Sequence, residues 1–241
     1  SYYRCYGIKN NVYPIQDLAK ANIKERKLYM GKESKVVDYI NPYLTTSRIH
    51  SISTSSYSIS NLSPMISGSK TSDFGFLMFD WSEKERFTNE YPKYAHWVKN
   101  YVGSAEFIRG DVRYCLYIPD DEIDEAFSIP CIKQRLEKIA EERRKSKKIP
   151  TQKMSVMPWR YTEDRYNENE SLFIPLTSSS RRAYIPIGML DSNTIVSNAG
   201  FAIYNPTSFD FGIVTSKIHN IWNNTLAGKM KTDFRYSAAL S

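Results

Sequence analysis

The 241-residue chain carries 33 Lys and Arg against 26 Asp and Glu, a formal charge of +7, and is 41% hydrophobic with 14% aromatic residues. That composition supplies a buried core for one large domain or two small ones and excludes a disordered or low-complexity chain. The positive excess favours an anionic partner. The 3 cysteines, at Cys5, Cys115 and Cys131, form neither an even set nor a CxxC pair, which argues against a disulfide framework and for reduced thiols in a cytoplasmic protein. No run approaches the roughly 20 apolar residues of a membrane span, and no charged, apolar leader is visible. A start at Ser1 without Met reads as a piece of a longer chain.

In chain order, Pro14 opens a segment, through Met30, with Ile15, Leu18 and Ile23 at loose helical spacing and Gly31 as a stop, which predicts a helical arm. Residues 45–63 are rich in Ser and Thr and read as a loop. Ser82 and Glu85 are placed as a capping box, and Pro92 as the start of a second helix that runs to Gly103. The stretch 111–118 alternates and ends at Pro119, which predicts a strand. Between 131 and 153 there are nine basic and three acidic side chains, with Ile132, Leu136, Ile139 and Ala140 at i, i+4, i+7 and i+8. This is a helix with one apolar stripe and a basic outer side, ended by Pro150. Short β segments follow at SLFIPL, AYIPIGML, TIVSN and GFAIY. A last helix runs from Thr207 or Ser208 to Gly228, with Phe211, Val214, Ile218, Ile221, Trp222 and Leu226 on its apolar side.

Catalytic signals are near misses. Asn41-Pro42-Tyr43 lacks the second Pro of an amino-methyltransferase motif, and no glycine-rich cofactor turn precedes it. Asp73-Phe74-Gly75 resembles a kinase tripeptide without the glycine loop, strand Lys or catalytic-loop Asn. Glu25-Arg26-Lys27 and Glu33-Ser34-Lys35 match the Glu-x-Lys triplet of metal-dependent nucleases but fall in the predicted helix or its stop. His50, His96 and His219 are far apart in sequence, so no zinc site is expected, and His219 reads as a packed core residue.

Signals for an anionic partner are stronger in combination. Between Ser171 and Asn198, two apolar strand-like stretches flank Thr177 to Ser180, four small hydroxyl residues followed by Arg181 and Arg182. A guanidinium is a planar fork of donors suited to phosphate oxygens or guanine edges. Near the C-terminus Lys229, Lys231 and Arg235 are interleaved with Phe234 and Tyr236, a pattern that can grip a backbone while stacking. The Gly68-Ser69-Lys70 turn offers backbone N–H groups to a phosphate. The basic helix reads as a solvated face.

INPYL, GSKTSDFGFLMF, FIRGDVRYCLYI, PLTSSSRRAYIPIGMLDSNTIVSN and TSFDFGIVTSKIHNIWNNTLAGKMKTDFRYSAA resemble, in order, the blocks of the target recognition domain of MmeI-like enzymes, over about 200 residues from Ile40 onward. Those single-chain type II restriction-modification proteins join a nuclease, an adenine methyltransferase and a DNA-reading domain. The resemblance implies an arm over residues 1–40 joined to a missing upstream methyltransferase domain. Over residues 41–241 it implies a non-catalytic domain that reads double-stranded DNA.

No cofactor is then expected in this piece, while the parent enzyme would use S-adenosylmethionine and Mg2+. The family's Ser-Ser-Glu-x-Arg block places its Arg on Arg182 and its Glu on Ser180. A Ser donates and accepts alike, so the family's base preference does not carry over. The implied assignment gives Ser180 and Arg182 to base edges and Arg181, Lys70, Arg109, Lys229, Lys231 and Arg235 to phosphates. The expected fold is α+β, a mixed twisted sheet backed by helices at 82–101 and 208–227. The alternatives are a stand-alone RNA- or protein-binding module, or a fragment with its own nuclease or methyltransferase activity.

Overall fold

The computed structural model describes residues 62–226, the strand segments 3–7, 26–30, 33–37 and 228–230, and residues 233–238. Contacts divide the chain into two compact units, Ser1–Ser53 and Thr54–Ser241.

In the first unit, β1 (Tyr3–Gly7), β2 (Arg26–Met30) and β3 (Glu33–Val37) form an antiparallel meander in the order β1-β2-β3. The helix predicted from Pro14 to Met30 is therefore wrong over Arg26–Met30, while 14–25 lie outside the described residues. With register Met30↔Glu33 and Arg26↔Val37, β3 gives β2 the backbone partners a helix would have supplied internally. Glu33-Ser34-Lys35 sits in a strand, not at a helix stop. Glu25 and Asn41-Pro42-Tyr43 lie outside the described residues.

Among its described residues the second unit is an α+β assembly of three small sheets. An antiparallel sheet in the order β10-β8-β12-β4 joins β4 (Ile66–Ser67), β8 (Ser171–Pro175), β10 (Gly188–Leu190) and β12 (Gly200–Tyr204). A mixed sheet in the order β11-β6-β7-β5 joins β5 (Met78–Phe79), β6 (Val98–Val102), β7 (Arg113–Leu116) and β11 (Thr194–Val196), with β11 parallel to β6. The third, in the order β13-β14-β9, joins β9 (Thr177–Ser178), β13 (Gly228–Met230) and β14 (Asp233–Arg235). The β7 prediction at 111–118 holds.

Helix α1 (Trp81–Glu90) starts two residues earlier than a cap at Ser82 implies. Asp80 is the cap: its Oδ1 accepts from the Glu83 amide at 2.7 Å and the Glu83 carboxylate accepts from the Asp80 amide at 3.2 Å. The helix predicted from Pro92 to Gly103 is a 3-10 segment, Pro92–Trp97, that gives way to β6. Local sequence permits a helix there, but β6 is flanked by β7 and β11, and pairing on both edges decides the matter. Short helices α2 (Ser104–Arg109) and α3 (Ile123–Ser128) follow.

The basic stretch forms α4 (Pro130–Lys145), with Ile132, Leu136 and Ile139 buried as the spacing required. Two details differ. The helix ends at Lys145, and Pro150 instead stands in the first turn of α5 (Ile149–Lys153), where its missing N–H costs nothing. Arg143 is not on the basic outer side but fully buried. Its guanidinium donates to the carbonyls of Ser72 (3.2 Å), Thr71 (2.8 Å), Met154 (3.1 Å), Met157 (3.0 Å) and Arg160 (2.9 Å), fastening the 71–72 turn and the 154–160 segment to α4. Burial lowers its pKa to about 10, which leaves it charged at neutral pH.

The last predicted helix is two helices, α6 (Ser208–Val214) and α7 (Lys217–Leu226). Thr207 caps α6, its hydroxyl accepting from the Asp210 amide at 3.1 Å. The orientation of α7 is inverted relative to its apolar pattern. Ile218 is 82% and Ile221 56% exposed, while Asn220 and Asn223 are buried. Phe211 is exposed too, and of the predicted apolar side only Val214 is fully buried.

Candidate nucleic-acid interface

The loop singled out in the sequence is the connection between β9 and β10. Ser180 to Tyr184 are exposed without interruption. The Arg182 amide donates to the Ser179 carbonyl at 3.1 Å, which closes a turn with Ser180 and Arg181 at its apex. The Ser179 hydroxyl also accepts from the Arg181 amide at 3.3 Å. Neither guanidinium is ion-paired with a described residue, so both are presented to solvent with their donors unspent.

Both ends of the loop are fixed. On the entering side, β9 pairs with β14 in the register Ser178↔Phe234 and Thr177↔Arg235, and the Tyr236 amide donates to the Leu176 carbonyl at 2.9 Å. On the leaving side, Ile185 and Ile187 pack against the core cluster of Leu172, Ile174, Ile203, Val214 and Tyr236. Gly188, the first residue of β10, lies so close to the Phe107 ring that an added Cβ would stand 2.8 Å from it. Phe107 belongs to α2 and packs on Phe173 with ring centroids 4.6 Å apart. The helix that carries Arg109 thus lies against the strand leaving the loop.

Helix α7 holds the loop from behind. The Asn220 side chain donates to the Ala183 carbonyl at 2.5 Å and accepts from the Ile185 amide at 3.3 Å. The adjacent His219 Nε2 is 2.8 Å from the Tyr236 hydroxyl. Burial lowers the His219 imidazole's proton affinity, which keeps it neutral and packed, as its sequence context predicted.

The other sequence-nominated cations divide. Arg235 is exposed on β14, the ladder neighbour of the loop's root, and Lys229 stands opposite Phe234 on β13, one strand further out. Lys231 lies outside the described residues. Arg109 is exposed at the end of α2, before the left-handed Gly110. Lys70 is 3.7 Å from Glu163, which also binds Arg165 at 2.8 Å, so its charge is partly matched.

The Gly68-Ser69-Lys70 turn does not offer its backbone to an anion. The three amides donate to the carbonyls of Gly200, Val196 and Glu163 at 2.9, 2.7 and 2.8 Å. Tyr236, placed among the stacking aromatics, is 4% exposed and belongs to the core.

Asn220, Arg143 and the exposed Tyr184 escaped the sequence reading. A polar residue at a buried position of α7 has no periodic signature. An apolar-weighted helix reading turns it outward.

Cys115 and Cys131 are free thiols, and burial pushes the Cys115 thiol up to about 12. Among the described residues no group of three or more His, Cys, Asp or Glu is arranged to hold a metal ion, and no helix is long and apolar enough to cross a membrane.

A scaffold of small sheets that fastens both roots of a bare cationic turn defines a recognition module. The chain belongs to the family described as MmeI, target recognition domain, which it matches over residues 46–241. It is 35% identical over 213 residues to DNA methyltransferase A of Bacillus subtilis (strain 168), a match that covers 88% of this chain and 24% of that protein. Its fold is similar to that of the type IIL restriction-modification enzyme MmeI in complex with DNA. The TM-score is 0.78 and the identity 31%, over 91% of this chain and 30% of that one. The chain therefore spans less than a third of the length of either relative.

Proposed function

We propose that this chain reads a short sequence in duplex DNA for a larger restriction-modification enzyme, directing its methyl transfer and cleavage to that sequence. One observation carries the reading: the turn from Ser179 to Arg182 projects two guanidiniums without ionic partners from a root that is hydrogen-bonded on both sides. In the major groove an Arg can donate to both acceptors on a guanine edge, and a neighbouring hydroxyl can donate or accept. Arg182 and Ser180 take base edges, and Arg181 takes an adjacent phosphate. Arg235, Lys229, Lys231 and Arg109 supply sequence-independent grip, with Lys70 contributing once its contact with Glu163 opens. The base chosen is set jointly by Ser180 and Arg182.

The B. subtilis relative's name supports a DNA methyltransferase as the parent, and the MmeI–DNA complex supports DNA as what the chain reads. Adenine as the methylated base and the cytoplasm as the place of action extend that proposal. S-adenosylmethionine and Mg2+ would act in its other domains, with this chain holding neither. Selection of the purified chain on a randomised duplex library tests the reading. Enrichment of one defined motif supports it. Recovery of no motif, or displacement of duplex by single-stranded RNA in a salt titration, refutes it.

A further inference from the structure

Helix α7 is built against its own apolar interest. It turns Ile218 and Ile221 toward solvent and buries the amides of Asn220 and Asn223, and the Asn223 side-chain oxygen has no hydrogen-bond partner among the described residues. A buried polar group without a partner is costly, so a helix selected for stability alone would be rotated the other way. What the rotation accomplishes is at Asn220. Its side chain bonds two backbone groups of the loop's return segment, the Ala183 carbonyl at 2.5 Å and the Ile185 amide at 3.3 Å, directly after Arg182. Those two backbone groups sit in a segment with no ladder partner, and a side chain replaces the missing strand.

We propose that Asn220 is the positioning residue of the recognition loop: it fixes the backbone after Arg182 so that the Ser180–Arg182 turn meets one base pair in a single geometry. The inference rests on the base-reading role of that turn. Asn220 itself touches no base. An unclamped loop carries the same guanidiniums, but it orders them only on binding and in several geometries. Loss of the clamp therefore lowers discrimination at the position read by Arg182 and leaves the phosphate-driven part of binding in place.

Two readouts on the purified chain separate clamp from reading. The first is limited trypsin cleavage after Arg181 and Arg182, which senses how often the loop opens. The second is base preference after selection on a randomised duplex. Removing two hydrogen bonds in Asn220→Ala should speed cleavage in the loop roughly tenfold. Preference at a single position should flatten while the salt dependence of binding stays constant. Asn220→Asp keeps the shape and the acceptor for Ile185 but repels the Ala183 carbonyl. It should fall in the same direction, so the test survives if the alanine variant fails to fold.

Unchanged cleavage in both variants overturns the clamp. Faster cleavage with unchanged base preference, where Arg182→Ala does flatten that preference, overturns the positioning role alone. If Arg182→Ala also changes nothing, the base-reading role of the loop fails, and the role assigned to Asn220 falls with it whatever the cleavage rate.

Discussion

Thr177 and Arg235 stand opposite each other in an antiparallel ladder, although β10, β11, β12, two helices and β13 separate them in the chain. Through that pair the C-terminal basic segment becomes a neighbour of the arginine loop. Two anion-binding signals that are independent in sequence share one small sheet, β13-β14-β9.

From this sheet comes a separation of grip from choice. Arg235→Ala should weaken binding to all duplexes alike and lower the slope of log K against log salt by about 0.9, the value of one phosphate contact. Salt titrations of wild type and variant on two unrelated duplexes check it. An unaltered slope removes Arg235 from the contact set.

The inverted helix makes a prediction opposite to its apolar pattern. Ile218→Lys should change stability by no more than about 0.5 kcal/mol, because Ile218 is 82% exposed. Val214→Ala, on the preceding helix and 3% exposed, should cost about 1 to 3 kcal/mol. Urea unfolding of both variants decides. A large loss at Ile218 would place that face inside.

Arg143 is the buried fastener of the α4 side. Its five carbonyl partners, on Thr71, Ser72, Met154, Met157 and Arg160, lose their donor together in Arg143→Met. The expected loss is about 3 to 5 kcal/mol, and Arg143→Lys should recover little of it, since one ammonium cannot reach the same fan of acceptors. Chemical denaturation provides the number. A loss below about 1 kcal/mol would contradict the assigned role.

His219 sets a pH dependence with a definite sign. Its folded-state proton affinity is lowered by burial, so the unfolded chain binds the proton more readily. The stability that neutral His219 contributes is present above the unfolded value of about 6.5 and is lost as the pH falls below it. Thermal midpoints at pH 7.5 and pH 5.5 should therefore differ more for wild type than for His219→Gln. Equal differences would show that His219 does not titrate in this window.

Much of this molecule is legible in its residues. The alternation at β7 and the i, i+4, i+7 stripe of α4 are local patterns, and the structure keeps both. The arginine loop was legible because hydroxyl residues and paired Arg between apolar runs have no better use as core or helix. What misled were segments whose local chemistry allows two answers. Val98–Val102 and Arg26–Met30 became strands because other strands offer ladders, the distant β11 to the first and β1 and β3 to the second. Lys70's backbone reads as an open turn in the sequence because its bridge partner Glu163 lies on a distant loop. Asn220 and Arg143 were hidden for a related reason. A buried polar side chain is justified by the carbonyls it meets, and those come from elsewhere in the chain.

Whether Arg182 reads a base is decided by the motif enriched from a randomised duplex library by wild type and by Arg182→Ala. The motif should be retained except at one position, where discrimination falls by about 1 to 3 kcal/mol. An identical motif from the two proteins, or a uniform loss at every position, would contradict it.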